Sequence, residues 1–416
     1  MNHAFSLTQA AGNGGGGALR VLGAAYAGRL ATTRGGTALV LDAGGAFQPA
    51  AADTPRFNGS TQRLLVEGTR GNALRNPRAE GAAPGTPGQL PTYWTASSQA
   101  GVALSVVGTG SEMGLPYLDL RFAGTATSTG YLVITPEQSA ALPAAAGQVW
   151  TGSVFFRMAA GSLAGIDSLR LRLQERLPGA GPATDVFVTP TVGWQRGVTT
   201  RTLTDGNVAA VIYSILPYVT AGAVVDVTLR VAAPQLEMAA FASSPVLPPA
   251  GAPGASTRAA DLPLWSPAGG FGNRGTLVVR AMLPQIAPFG ASQGLWQLDD
   301  GTDQNRLQLR NTSAGSAITG VVDVGGSTVA TLAGGSMAAG QPFRAAFAWA
   351  PGDQALCLSG GSLQTAAAGL PPGLTRLLVG HGSSQLNRAA HGEMELMEYR
   401  PSRVPNALLQ ALANAA

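Results

Sequence analysis

The sequence has no lysine, a single cysteine and only 3 histidines in 416 residues. Every one of its 26 basic residues is therefore arginine, as a GC-rich coding genome favours. One thiol, Cys357, excludes an internal disulfide, and its neighbours Ala355, Leu356 and Leu358 read as a buried strand with an inert core thiol. Charged residues make up only 12%, against about 25% in an ordinary globular chain, so disorder driven by charge is excluded. The net charge of +4 is spread thinly. Without a run of basic residues or a basic helix nothing would neutralise a row of phosphates, so no nucleic-acid partner is expected. No stretch reaches the roughly 18 apolar residues of a membrane span, so no membrane insertion is expected. Met1 to Arg20 lacks the basic and apolar regions of a signal peptide, so the expectation is a soluble chain made in the cytoplasm.

What is abundant is punctuation: 57 Gly and 28 Pro among 45% hydrophobic residues, the composition of many short strands joined by tight turns. At about 100 to 200 residues per domain the length implies two or three modules. Residues 1–62 are Gly-rich, with a run at Gly14 to Gly17, and too poor in large apolar side chains to build a core, which suggests an extended N-terminal attachment segment. Residues 63–246 read as a first β-sandwich: in Val149-Trp-Thr-Gly-Ser-Val-Phe-Phe-Arg157 one face is apolar and the other small or polar. Pro245 to Pro253 reads as a Pro-rich linker, spanning 247–254 between the modules. Residues 255–416 resume the strand pattern as a second sandwich and close on Leu408, Leu409 and Leu412, spaced as a short amphipathic helix. The fold class is all-β, with two sandwiches.

Two sets of residues match known patterns. Thr54-Pro-Arg-Phe57, Leu64-Leu-Val-Glu67, Arg70-Gly-Asn72, Trp94, Pro234-Gln-Leu-Glu237 and Thr257-Arg-Ala-Ala-Asp261 resemble a recurrent module of phage and prophage structural proteins, whose middle region is similar to a carbohydrate-binding-module jelly roll. Gly275-Thr-Leu, Leu298-Asp-Asp-Gly-Thr-Asp-Gln-Asn-Arg306, Phe343-Arg-Ala-Ala-Phe-Ala-Trp349, Leu377-Leu-Val-Gly380 and Tyr399-Arg-Pro resemble a laminin-G or concanavalin A-like lectin domain. The resemblance covers roughly residues 50 to 416. It implies a tail-fibre or head-spike subunit of a phage or gene transfer agent, part of a virion, in a homotrimer. Its partners would be capsule or lipopolysaccharide and, through the N-terminal segment, other virion proteins.

Several motifs suggest chemistry and then fail a structural condition. Gly290-Ala-Ser-Gln-Gly294 fits the nucleophile elbow, but a strand follows it where a helix is required, and nothing orients His381 or His391 as a base. Gly270-Phe-Gly-Asn-Arg-Gly275 fits the dinucleotide fingerprint, yet it too leads into a strand. Glu393-Met-Glu-Leu-Met-Glu398 resembles the acid-bearing strand of sandwich-fold glycanases, although plain alternation puts Glu398 on the opposite face from Glu393 and Glu395 unless a bulge intervenes. A polysaccharide depolymerase using those acids is the enzymatic alternative; the expectation is no enzyme. Asp299, Asp300 and Asp303 around Gly301 read either as a hairpin turn or as oxygen ligands for calcium, and no other cofactor is suggested.

Sugar sites usually stack the apolar face of a pyranose on an aromatic ring and bind its hydroxyls with amides, carboxylates and guanidiniums. Of the 6 tryptophans, Trp150 and Trp349 sit in apolar strands and read as core. Tyr93-Trp94 in a Pro-rich loop and Trp194-Gln-Arg196 are either packing residues or platforms. A polar loop with His381, Ser383, Gln385, Asn387 and Arg388 is either a solvated turn or a recognition loop. The rival to glycan binding is a decoration or connector protein whose sandwiches bind only other particle proteins.

Overall fold

The computed structural model describes residues 19–22, 29–138, 142–177 and 179–415; the Gly14 to Gly17 run and His3 lie outside them. The chain divides into two units. One comprises residues 46–48 and 70–258, the other residues 1–45, 49–69 and 259–416. Among the described residues the only α-helix is Asn406–Asn414, and no helix is long and apolar enough to cross a membrane.

The unit built on residues 70–258 is a jelly roll. One sheet runs Gln195–Thr202, Val149–Ser162, Val224–Glu237, Leu115–Thr125, Ala103–Glu112. The other runs Ala180–Val188, Ser168–Arg176, Ala210–Val219, Gly130–Thr135, Thr95–Ser98. Apart from the hairpins Ala103–Glu112 with Leu115–Thr125 and Ser168–Arg176 with Ala180–Val188, successive strands alternate between the two sheets, as in a jelly roll. Strand alternation makes the core: Leu169, Leu171 and Leu173 point inward from Ser168–Arg176, meeting Val154 and Phe156 from the facing sheet. Each such buried side chain contributes about 1.5–3 kcal/mol.

The other unit packs two larger sheets. The first runs Gln364–Ala366, Asp353–Leu358, Pro342–Ala350, Gly275–Met282, Gly392–Arg400, Arg63–Val66, Arg56–Asn58, and Leu19–Leu22 also pairs with Gly392–Arg400. The second runs Ala31–Thr33, Leu262–Trp265, Arg376–Val379, Ser292–Asp299, Arg306–Thr312, Ala317–Val324, Ser327–Ser336. Trp296, Phe347, Trp349 and Tyr399 fill the space between them. On the far side of the first sheet, Val278, Ala346, Ala348, Ala355 and Cys357 make a flat apolar strip, and the helix lays Leu409 and Ala413 on it. Leu408, one of the three leucines that suggest the helix, faces solvent. Cys357 is fully buried and its thiol pKa is pushed up by that burial, which keeps it inert.

The structure divides the chain differently from the sequence reading. Of the proposed 1–62 attachment segment, the described strands are not free-standing: Ala31–Thr33 pairs with Leu262–Trp265, and Arg56–Asn58 and Arg63–Val66 extend the sheet through Gly392–Arg400. A segment too poor to build its own core completes a distant one. The jelly roll is thus inserted into the other sandwich, starting at 70 and not at 63. The 247–254 stretch is not a loose linker either. Val246 and Pro248 are buried, their carbonyls accepting hydrogen bonds from Asn72 (3.1 Å) and Arg78 (2.6 Å), and Gly251 N donates to Glu80 (2.8 Å).

The residues that carry the phage-module resemblance sit where the chain enters and leaves the insertion. Asn72 Oδ1 accepts from Leu74 N and Leu236 N (3.1 and 3.0 Å), while Glu237 accepts from Gln235 and Ser243. Arg56, Glu67 and Asp261, joined by Arg34, form a second buried cluster. The motif is a structural seam.

Candidate functional site

In Ser168–Arg176 the same alternation that sends three leucines inward sends Arg170, Arg172 and Gln174 outward. The register sets Arg170 between Phe187 and Leu216, and Arg172 between Asp185 and Ser214. Tyr218 lies opposite Tyr131 on the adjoining strand. Six side chains from four strands, Tyr131, Arg170, Arg172, Asp185, Phe187 and Tyr218, therefore share one sheet face with Arg170 at their centre. The Tyr131 and Tyr218 rings are 4.8 Å apart and tilted by 58°. The Arg170 guanidinium carbon stands 5.2 Å from each tyrosine ring and 4.8 Å from Phe187, with Nη1 donating to the Tyr131 hydroxyl at 2.7 Å.

Arg172 makes a bidentate pair with Asp185 (2.6 and 2.7 Å), and this hydrogen bonding holds the Asp185 carboxyl below its ordinary range. Two guanidiniums and one carboxylate leave the face one positive charge in excess. Phe187 is 63% exposed although it sits on a sheet face and not in a loop tip. Buried Leu216 floors the patch. Aromatic faces for stacking beside fixed guanidinium donors are what a pyranose with polar or acidic substituents requires. None of these residues is among the candidates drawn from the sequence, though the Leu-Arg-Leu-Arg-Leu alternation signals Arg170 and Arg172 as outward-facing.

The sequence candidates scatter. Trp94 is buried in the jelly-roll core, with Nε1 donating to the Asn76 carbonyl at 3.0 Å, so it is no platform. Tyr93, in a left-handed conformation at φ 71°, turns the other way and is covered by Arg75, whose guanidinium lies 3.7 Å from the ring and pairs with Glu137. Trp194 is half-buried beside Arg157 (5.8 Å). Arg196 is held over Phe155 (5.1 Å) and donates to Ser153 (2.9 Å). Neither joins Tyr93 in a common site.

In the other unit, His381 is fully buried, its Nε2 donating to the Asp261 carbonyl, so it is a core residue and not a recognition residue. Gln385 and Asn387 are exposed, and Asn387 and Arg388 line a cleft of about 390 Å³ with Gly290, Ala291, Ser292, Arg310 and Thr312. Burial holds the His381 pKa below its ordinary value, which favours the neutral ring in the folded state. Its contribution to stability is therefore complete above the unfolded value near 6.5 and is lost as pH falls below it. The melting temperature is expected to drop between pH 6.5 and 5, and His381→Gln to flatten that drop in parallel thermal melts.

The three aspartates serve their loops. Asp299 is paired with Arg376 and accepts from Gly301 N (2.9 Å). Asp300 accepts from Thr302 and Asn305. For Asp303 burial works to raise the pKa, but Ser383 Oγ, Ser384 N and Gln297 donate to it and hold it at about 2. Among the described residues no three acidic, histidine or cysteine side chains converge as metal ligands, and Asp299, Asp300 and Asp303 each accept hydrogen bonds within or beside their turn.

A bulge does intervene at the glutamates. Arg280 pairs with Leu396 and Ala281 with Met394, so Glu395 is the extra residue. Met394, Met397 and Tyr399 then face the core, leaving Glu393, Glu395 and Glu398 on the far face of the sheet, contrary to plain alternation. All three are engaged: Glu393 by Asn58 (2.7 Å), Glu395 by Arg63 and Arg280 (3.0 Å each), Glu398 by Arg400 (2.6 Å).

Gly294 of the elbow-like motif has a steric reason. A Cβ there would lie 1.9 Å from Gly382 N, because the 381–388 loop crosses the strand at that point and Gly294 N donates to the Arg388 carbonyl (3.0 Å). Gly294→Ala is expected to displace this loop and lower stability by at least about 1–3 kcal/mol, measured by urea unfolding.

No known protein family matches the sequence, and no curated protein matches it. Among solved structures, it is similar to the CBM40 of the Ruminococcus gnavus IT-sialidase bound to α2,3-sialyllactose (20% identity, TM-score 0.29, 34% of this chain and 82% of that one). It is also similar to the CBM22 tandem of Paenibacillus barcinonensis Xyn10C (11%, 0.26, 77% and 99%). A third is mouse laminin α1 LG4-5 (11%, 0.26, 71% and 91%). These similar structures are carbohydrate-binding modules and a laminin G pair. Likeness this distant assigns no ligand to the present chain.

Proposed function

We propose that this protein binds cell-surface polysaccharide, capsule or lipopolysaccharide, through the outer face of the jelly-roll sheet at Tyr131, Arg170, Arg172, Asp185, Phe187 and Tyr218. The observation that carries the proposal is the convergence of three aromatic rings on a central guanidinium, with an exposed phenyl at its edge. In this reading the rings stack on pyranose faces, while Arg170, Arg172 and Asp185 select the substituents. Binding does not require catalysis: each glutamate of the glycanase-like strand is occupied by an arginine or an asparagine.

In this reading, which follows what the sequence resemblance implies, the chain is a fibre or spike subunit of a phage or gene-transfer-agent particle. There a homotrimer would multiply weak sites, since linked sites gain about 10²–10⁴ in avidity. The test is retention of purified protein on immobilised capsular polysaccharide, with a neutral polymer as control. Retention by the capsular polymer alone supports the proposal. No retention by either polymer would favour a connector that binds only particle proteins.

A further inference from the structure

The cleft in the sandwich formed by residues 1–45, 49–69 and 259–416 carries unbalanced positive charge. Two arginines, Arg310 and Arg388, line it, and no carboxylate does. Arg310 points away from the core side of its strand, where Leu307 and Leu309 are buried. Among the described residues its Nη1 reaches Gln308 Oε1 at 3.3 Å, and its buried Nε has no hydrogen-bond partner. Both guanidiniums belong to the wall of the same cleft, and burial, then the charges of Arg388 and Arg306, lower the Arg310 pKa. Asp323, whose charge offsets part of this, is already held by Arg306 (2.7 Å) and Thr328 (2.6 Å).

The cleft is rigidly built. Gly294 N and Gly382 N both donate to the Arg388 carbonyl at 3.0 Å, and Ser383 ties the loop to Asp303 at 2.7 Å. Opposing cations on fixed backbone cost stability unless an anion lies between them. Ser292, Thr312 and Asn387 add short polar groups to the wall. Phe289, the residue before Gly290, is completely exposed, an aromatic ring left in solvent beside a charged cleft.

We propose that this cleft is a second glycan subsite, which takes the free carboxylate of a hexuronic acid residue between Arg310 and Arg388, with Phe289 flanking the sugar ring. The inference rests on the glycan-binding reading and adds the ligand class: an acidic polysaccharide. Carboxylate fits better than a neutral sugar because the fork of a guanidinium matches two carboxylate oxygens, and neutral hydroxyls would leave the cation pair uncompensated.

The experiment titrates the full chain with tetragalacturonate and tetramannuronate, each against its methyl ester, at low salt. Wild-type protein is expected to prefer at least one acid over its ester by about tenfold, a factor that a single charge-assisted contact supplies. Arg310→Gln and Arg388→Gln should each collapse that preference to within about twofold, with circular dichroism and melting checking that the variants remain folded. Equal binding of acid and ester by wild-type protein, or an unchanged preference in both variants, would overturn the assignment. Full displacement of the probe by sodium sulfate, matched against sodium chloride at equal ionic strength, would also overturn it, reducing the cleft to a site for any small anion. Cell adsorption is measured in parallel: if it persists without acid preference, only this inference fails, and if adsorption is absent the glycan-binding reading fails with it.

Discussion

Arg56→Ala is expected to destabilise the sandwich that contains it by about 3–5 kcal/mol, the range for removing one partner from a buried charge cluster. Arg56 is 1% exposed and donates to Glu67 (2.7 Å), to both carboxylate oxygens of Asp261 and to the Leu39 carbonyl (3.0 Å). Burial alone would lower its pKa, but the two carboxylates more than offset this and hold it above the ordinary arginine value. Arg34, equally buried, binds Asp261 at 2.9 Å, so that among the described residues of the cluster two cations face two anions. Alanine at 56 leaves one negative charge uncompensated in a site closed to water.

Place matters as much as charge. Glu67 N donates to the Asp261 carboxylate and Asp261 N to the Glu67 carbonyl, both at 2.9 Å, which joins the chain just before and just after the inserted jelly roll. Chemical denaturation measures the loss. A double change, Arg56→Leu with Glu67→Leu, removes one charge of each sign and is expected to cost less than Arg56→Leu alone. A loss below about 1 kcal/mol for Arg56→Ala would show that the cluster is solvated and not a structural seam.

Phe187→Ala carries the second large effect. Because the ring is 63% exposed, its removal takes little from the fold, within about 0.5 kcal/mol. It takes away the outermost stacking surface of the proposed sugar-binding face, and binding of a single site is expected to weaken about tenfold, or about 1.4 kcal/mol. Arg170→Ala should weaken it further, since that guanidinium orients all three rings. If sites act together in an oligomer, each tenfold loss compounds, and adsorption to a surface should fall far more than single-site affinity. Calorimetry with soluble oligosaccharide and surface plasmon resonance on immobilised polymer separate the two quantities.

Strand patterns made the all-β class legible, because side-chain alternation is a local property: Val149 to Arg157 and Val225 to Val231 show their faces in the sequence itself. The insertion was not legible. Pairing of Ala31–Thr33 with Leu262–Trp265 depends on contacts across more than 200 residues, and nothing local to either strand names its partner. The same limit hid the proposed binding face, whose members at 131, 170–172, 185–187 and 218 become neighbours only through the strand order of the sheet. Tyr93 and Trp94 misled in the other direction. A left-handed residue at 93 turns the chain so that adjacent aromatics part, one to the core and one under Arg75. At Glu395 a single bulge inverted the face of every following side chain, and a period-two reading has no means of placing such a residue.

The most direct test uses whole cells. Purified wild-type protein and the Phe187→Ala, Arg170→Ala double variant are applied to capsule-bearing host cells and to matched capsule-deficient cells, and bound protein is counted by fluorescence. The account predicts strong binding only for wild-type protein on capsule-bearing cells. Equal binding to both cell types, or a folded double variant that binds as well as wild type, would contradict it.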